Sequence, residues 1–152
     1  MDAIEFLIHD HKSLEELFEK ASFEKFEDLR TSLIRHVNLE EYVFYPGLLK
    51  SQKVEGTVLE AWEDHNICMQ LLQELDDTKD EKIWTAKFNT LKKLVLDHFL
   101  EEERDLFPVV SKNFDAAWLM DTGLVMSLYR PEIEPDKVLY PDEPGSHRPW
   151  KL

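Results

Sequence analysis

His36-Val37-Asn38-Leu39-Glu40-Glu41-Tyr42-Val43-Phe44-Tyr45-Pro46 and His98-Phe99-Leu100-Glu101-Glu102-Glu103-Arg104-Asp105-Leu106-Phe107-Pro108 are two copies of one pattern. Each has a histidine, a glutamate pair four and five residues on, and an aromatic-proline pair nine and ten residues on. Upstream, Asp10-His11 is echoed by Asp64-His65, so the chain reads as two halves of similar design. Residues four apart on a helix lie one turn and ~40° apart, so His36 with Glu40, and His98 with Glu102, address one point.

Working outward, apolar residues recur at helical spacing. Ile4, Leu7, Ile8, Leu14, Leu17 and Phe18 share a face with His11. From about Ser22 to Lys50, Phe26, Leu29, Leu33, Val37, Phe44 and Leu48 form a stripe that contains His36 and Glu40. A third stripe, Val58, Ala61, Trp62, Cys68, Met69, Leu72 and Leu75, centres on His65. The fourth, Trp84, Phe88, Leu91, Val95, Leu106 and Val109, contains His98 and Glu102 and runs to about Lys112. Thr57 to Glu60 and Thr78 to Glu81 have the form of capping boxes that would open the third and fourth helices. Four helices joined by short connections predict an all-α, antiparallel up-down-up-down four-helix bundle over residues 1–112. Residues 113–152 are expected to add a short helix from Ala116 to Tyr129 and a proline-rich extension, since five of the seven prolines fall between Pro131 and Leu152. Ile133, Val138, Leu139, Tyr140 and Trp150 would let that extension lie along the bundle or a partner.

A chain of 152 residues supports one sizeable core. Its formal charge of −14 repels nucleic acid and anionic lipid, so neither is expected as a partner. Cys68 is the only cysteine, which excludes an internal disulfide and suits a reducing compartment, the cytoplasm. Neither a leader nor a run of ~20 apolar residues for a membrane span is evident in the sequence.

Burying two carboxylates among four imidazoles is costly unless a cation neutralises them. Imidazole and carboxylate donors suit iron, zinc or manganese, and a carboxylate can bridge two ions, so His11, His36, Glu40, His65, His98 and Glu102 compose a dinuclear metal site. The alternative for these residues is a metal-free polar network, which would have to be fully satisfied.

These residues resemble the hemerythrin-like (HHE) domains, whose pattern is a His, a His-x-x-x-Glu, a second His and a second His-x-x-x-Glu, matched here by residues 1 to about 112. The resemblance implies two iron ions, with His11 and His36 on one, His65 and His98 on the other, and Glu40, Glu102 and a solvent oxygen bridging. The oxygen-carrying hemerythrins have a His-x-x-x-His pair on the third helix, whereas Ala61 and Met69 flank His65 here. Open metal positions would then favour reactivity over reversible oxygen carriage. Carriers also place the last carboxylate five residues after the histidine, where Glu103 stands, but Glu102 lies closer to the face of His98.

Three functions follow as expectations. The first is a di-iron protein that binds or senses O2 or NO, or handles iron. The second is an enzyme that uses the same centre on peroxide or NO. The third is a zinc- or manganese-loaded interaction module whose tail docks a protein partner or a second copy. Asp10, Asp64, Glu41 and Glu103 are candidate acceptors for the outer imidazole N–H groups, with surface solvation as the competing reading. Cys68 and Met69 could line the metal pocket but read as packing, as do Trp62, Phe99, Tyr42 and Tyr45, whose other reading is to shield a bound gas or supply a phenol hydrogen bond; Tyr45 is the one worth mutating. His9 and His147 read as surface residues.

Overall fold

A computed structural model describes residues 1–129. The proline-rich extension, its apolar residues and His147 lie outside the described residues. Helix α1 is Ala3–Lys20, α2 Glu27–Leu39, α3 Tyr45–Leu48, α4 Glu55–Asp77, α5 Glu81–Glu101, α6 Phe107–Asn113 and α7 Ala116–Leu128. No β-strand occurs among the described residues, only an isolated bridge between Ser22 and Lys25 in the first connection. Helix α1 packs against α2 and α5, and α4 packs against the same two, so the chain is a helical bundle. No helix among the described residues is long and apolar enough to cross a membrane.

The helix starts differ from the sequence expectation. Helix α4 begins at Glu55, before Thr57, because the amides of Val54 and Glu55 bond the carbonyl of Ser51 in a preceding turn and no side-chain cap is needed. The cap of α5 is Asp80, whose carboxylate accepts from the Ile83 amide at 3.0 Å. Thr78 instead closes α4, its hydroxyl donating to the Glu74 carbonyl at 2.6 Å. The complete capping box is at the first helix, where Asp2 and Glu5 each accept the other's backbone amide.

Two π-helical segments, Glu40–Phe44 and Glu102–Leu106, interrupt what would otherwise be continuous helices over 27–48 and 81–113. Each closes with a bond five residues long, from the Tyr45 amide to the Glu40 carbonyl and from the Phe107 amide to the Glu102 carbonyl. The sequence cause is the proline that follows each segment, Pro46 and Pro108. A proline inside a helix cannot donate to the carbonyl four residues back and its ring collides with it, so a wider turn there relieves both problems.

The apolar core comes in two parts. One gathers Ile4, Leu7, Leu39, Phe44, Leu48, Val58, Trp62, Leu106 and Phe107, and the other Leu14, Phe18, Leu33, Val37, Leu72, Phe88, Leu91, Val95 and Phe99. A buried polar layer accompanies them: on α1 and α4 His11 and His65 separate the two parts in sequence, and on α2 and α5 His36 and His98 stand next to Val37 and Phe99 of the second part. Helix α7 closes the first part against α1. Its Gly123 allows this approach, since a Cβ there would stand 2.5 Å from the Met1 carbonyl oxygen.

Candidate metal centre

The six residues singled out from the sequence come together in that polar layer. His11 comes from α1, His36 from α2, His65 from α4 and His98 from α5, and Glu40 and Glu102 are the first residues of the two π segments. All six are buried, Glu40 completely. His11, His36, Glu40 and Glu102 bring one ligand atom each within 4.8 Å of one another, and Glu40, His65 and His98 form a second such group.

Each imidazole is aimed by a carboxylate behind it. His36 Nδ1 donates to Asp10 at 2.8 Å and His65 Nδ1 to Glu41 at 2.7 Å. His11 Nδ1 donates to Glu103 and His98 Nδ1 to Asp64, both at 3.1 Å. Because an ionised carboxylate only accepts, Nδ1 must carry the proton in each ring, so a neutral ring presents the lone pair of Nε2 to the interior. All four outer acceptors are therefore engaged, while Asp64 and Glu103 also keep about a third of their side-chain surface open to solvent. Asp10 is itself held by the Arg35 guanidinium at 2.9 Å.

The inward atoms crowd one another. His11 Nε2 lies 3.4 Å from Glu102 Oε1, His98 Nε2 lies 3.2 Å from the same oxygen, and His36 Nε2 contacts Glu40 Oε1. His65 Nε2 lies 3.5 Å from Glu40 Oε2 and 3.2 Å from His98 Nε2. Yet His11 Nε2, His36 Nε2, Glu40 Oε1 and Glu102 Oε1 make no hydrogen bond of acceptable geometry, and these four residues form the four-membered group. Buried lone-pair atoms without hydrogen-bond partners, converging on one point, are what a cation would satisfy. The donor set fits a metal that takes nitrogen and oxygen ligands.

The charges support this reading. Burial raises the carboxyl of Glu40, but the charge of His36 and the close approach of the His11, His36 and His65 ring nitrogens outweigh it and hold the group well below its usual range. Burial lowers His36, yet the charge of Glu40 and the bond to Asp10 push it up to about 10. Opposed in the same way by burial, His11, His65 and His98 are also raised, chiefly through Glu102, Glu40 and Glu102 respectively. Without a cation, protons hold the two carboxylates in place, and a metal would displace them.

Of the two readings of Tyr45 in the sequence, packing and a phenol hydrogen bond, the structure shows both, for its ring packs and its hydroxyl lies inside the site. It donates to Glu102 Oε2 at 2.7 Å, contacts Glu40 Oε2, and lies 3.4 Å from His65 Nε2. Straight α-helical geometry turns residue 45 ~140° away from residue 40, whereas the π turn stacks it above Glu40. The Tyr45-Pro46 repeat was the available signal. Phe99 stacks on His11, with ring centroids 3.9 Å apart, and shields it. Cys68, its thiol pushed up to about 12 by burial, lines an apolar cavity of about 10 Å³ with His36, His65 and His98. Tyr42 and His9 point outward.

The chain matches the family model described as Hemerythrin HHE cation binding domain over residues 2–110. No curated protein and no solved structure matches it.

Proposed function

The chain belongs to the hemerythrin HHE cation-binding domain family, and on that premise we propose that it is a non-haem di-iron protein that binds or senses O2 or NO, or handles iron. The observation that carries this reading is the convergence of four imidazoles and two glutamates, with unpartnered ligand atoms turned inward and the outer ring nitrogens fixed by carboxylates. His11 and His36 would hold one ion, His65 and His98 the other, and Glu40 and Glu102 would lie between them. Residues 1–112 would form the antiparallel up-down-up-down four-helix unit, with 113–152 as its extension.

A bound iron pair would supply Lewis acidity and redox exchange with a small ligand. The chain's own residues supply the setting. Asp10, Glu41, Asp64 and Glu103 hold the protons on Nδ1 and fix the direction of each Nε2. Phe99 and the two apolar core parts exclude bulk water. The cavity of about 10 Å³ beside three of the histidines has room for about one water-sized molecule, a scale that supports a small ligand. The buried, lone Cys68 is consistent with residence in the cytoplasm.

The test is aerobic reconstitution of the metal-free chain with iron(II), followed by metal analysis and visible spectroscopy with and without azide or NO. The expected result is about two irons per chain and an absorption that the added ligand perturbs. A colourless protein that takes up no iron overturns the proposal. Recovery of the chain from its native host with zinc or manganese in the site would assign it a different metal.

A further inference from the structure

The pseudosymmetry of the site is broken at one position. Tyr45 and Phe107 occupy equivalent places, each one residue past a π segment and each followed by proline. Both rings serve the same packing role: Tyr45 stacks on His65 with centroids 5.4 Å apart, and Phe107 stacks on His11 at 5.8 Å. Packing therefore needs only a phenyl ring there, and the Tyr45 hydroxyl is surplus to it. The hydroxyl is completely buried and is placed against the two glutamates of the site, donating to Glu102 Oε2 at 2.7 Å and contacting Glu40 Oε2.

The hydroxyl lies where ligand atoms are fewest. Four residues gather on the His11 and His36 side, whereas only Glu40, His65 and His98 gather on the other. Ligand atoms bound at ~2.1 Å to one ion lie roughly 3.0–3.4 Å apart. The Tyr45 oxygen is 3.4 Å from His65 Nε2, and His65 Nε2 is 3.2 Å from His98 Nε2. Glu40 Oε2, which the phenol also contacts, lies just outside that range, at 3.5 Å from His65 Nε2.

Resting on the di-iron reading above, we infer that the Tyr45 phenol oxygen is a direct ligand of the cation held by His65 and His98, a seventh protein ligand that makes the two metal positions inequivalent. On binding, the O–H bond is exchanged for an oxygen–metal bond and the proton leaves to solvent. No change of oxidation state is involved. The alternative role, a protonated phenol donating to a metal-bound solvent oxygen, leaves no phenolate on the metal.

The test uses the full chain reconstituted with iron(II) in air, wild type beside Tyr45→Phe and Tyr42→Phe. Ferric phenolate gives a visible charge-transfer band whose excitation enhances Raman modes of the tyrosine ring. Wild type and Tyr42→Phe are expected to show the band and ring modes, and the modes should shift when the tyrosines carry ring deuterium. Tyr45→Phe should keep its iron and its helical circular dichroism, as Phe107 does the same packing, and lose the band. Iron bound to wild type without ring modes, or a band that survives Tyr45→Phe, overturns the inference and leaves the metal centre standing. No iron in wild type removes the di-iron reading, and the inference with it. Should Tyr45→Phe fail to fold, the variant with Tyr42→Phe, Tyr129→Phe and Tyr140→Phe together decides, because Tyr45 is then the one tyrosine left and the ring modes should persist; their loss overturns the inference.

Discussion

Four carboxylates aim the four imidazoles, but they are not equivalent, and the difference sets an order of metal affinity among variants. Asp10 and Glu41 come from the first half of the chain, with side chains 11% and 0% exposed and bonds of 2.8 and 2.7 Å. Asp64 and Glu103 come from the second half, at 31% and 33% exposure and 3.1 Å each. Replacing each by its amide keeps the volume and an acceptor oxygen but removes the charge that makes the imidazole a stronger donor to the metal. Loss of such an outer partner typically costs ~10–100-fold in metal affinity. Buried, short bonds belong at the upper end and half-exposed ones, where water replaces the lost group, at the lower. Asp10→Asn and Glu41→Gln should therefore weaken binding by ~100-fold, about 2.7 kcal/mol, and Asp64→Asn and Glu103→Gln by ~10-fold, about 1.4 kcal/mol. Glu41→Gln should be the more severe of the first pair, since the Arg35 guanidinium already offsets part of the Asp10 charge. Competition of the metal-free proteins with a chromophoric chelator for iron(II), without oxygen, gives the four constants. Equal losses at all four positions, or larger losses at Asp64 and Glu103, would refute the reasoning.

Glu40 belongs to both groups of ligand atoms, so Glu40→Gln should abolish uptake of both ions; metal analysis showing a full complement would contradict this. In the metal-free protein His36 is raised from 6.5 to about 10, so its stabilising contribution is complete below ~6.5 and is lost as the pH climbs through about 10. Since metal competes with the same protons, melting temperatures of the metal-free chain should fall over that window while the gap to the loaded form widens; a constant gap would be inconsistent with proton displacement. Gly123→Ala puts a Cβ 2.5 Å from the Met1 carbonyl oxygen, and urea unfolding should show a loss of ~1–3 kcal/mol. Gly56→Ala, with nothing within 4 Å of its Cβ, should be neutral or stabilising in the same experiment.

Much of this site was legible in the sequence because its logic is helical. His11, His36, His65 and His98 each fall on an apolar stripe, and the repeat of His-x-x-x-Glu announces two helices bringing the same donors to one place. The outer carboxylates were legible only as candidates, because Asp10, Asp64, Glu41 and Glu103 bond across 24 to 92 positions of sequence, and periodicity describes one helix at a time. The phenol hydrogen bond of Tyr45 was legible only as the lesser reading, because an α-helical count carries residue 45 off the site, and the π segment that returns it is a local response to Pro46. Thr57 and Thr78 matched a capping pattern without using it, since the turn at Ser51 and the stronger cap Asp80 had already satisfied those helix starts.

Diffraction from crystals of the iron-loaded chain, collected at wavelengths on either side of the iron absorption edge, locates metal without reference to activity or colour. Two anomalous peaks are expected within bonding distance of the inward ring nitrogens, one beside His11 and His36 and one beside His65 and His98. Iron-replete crystals with no peak in that layer, or with peaks only at surface carboxylates, would contradict the account.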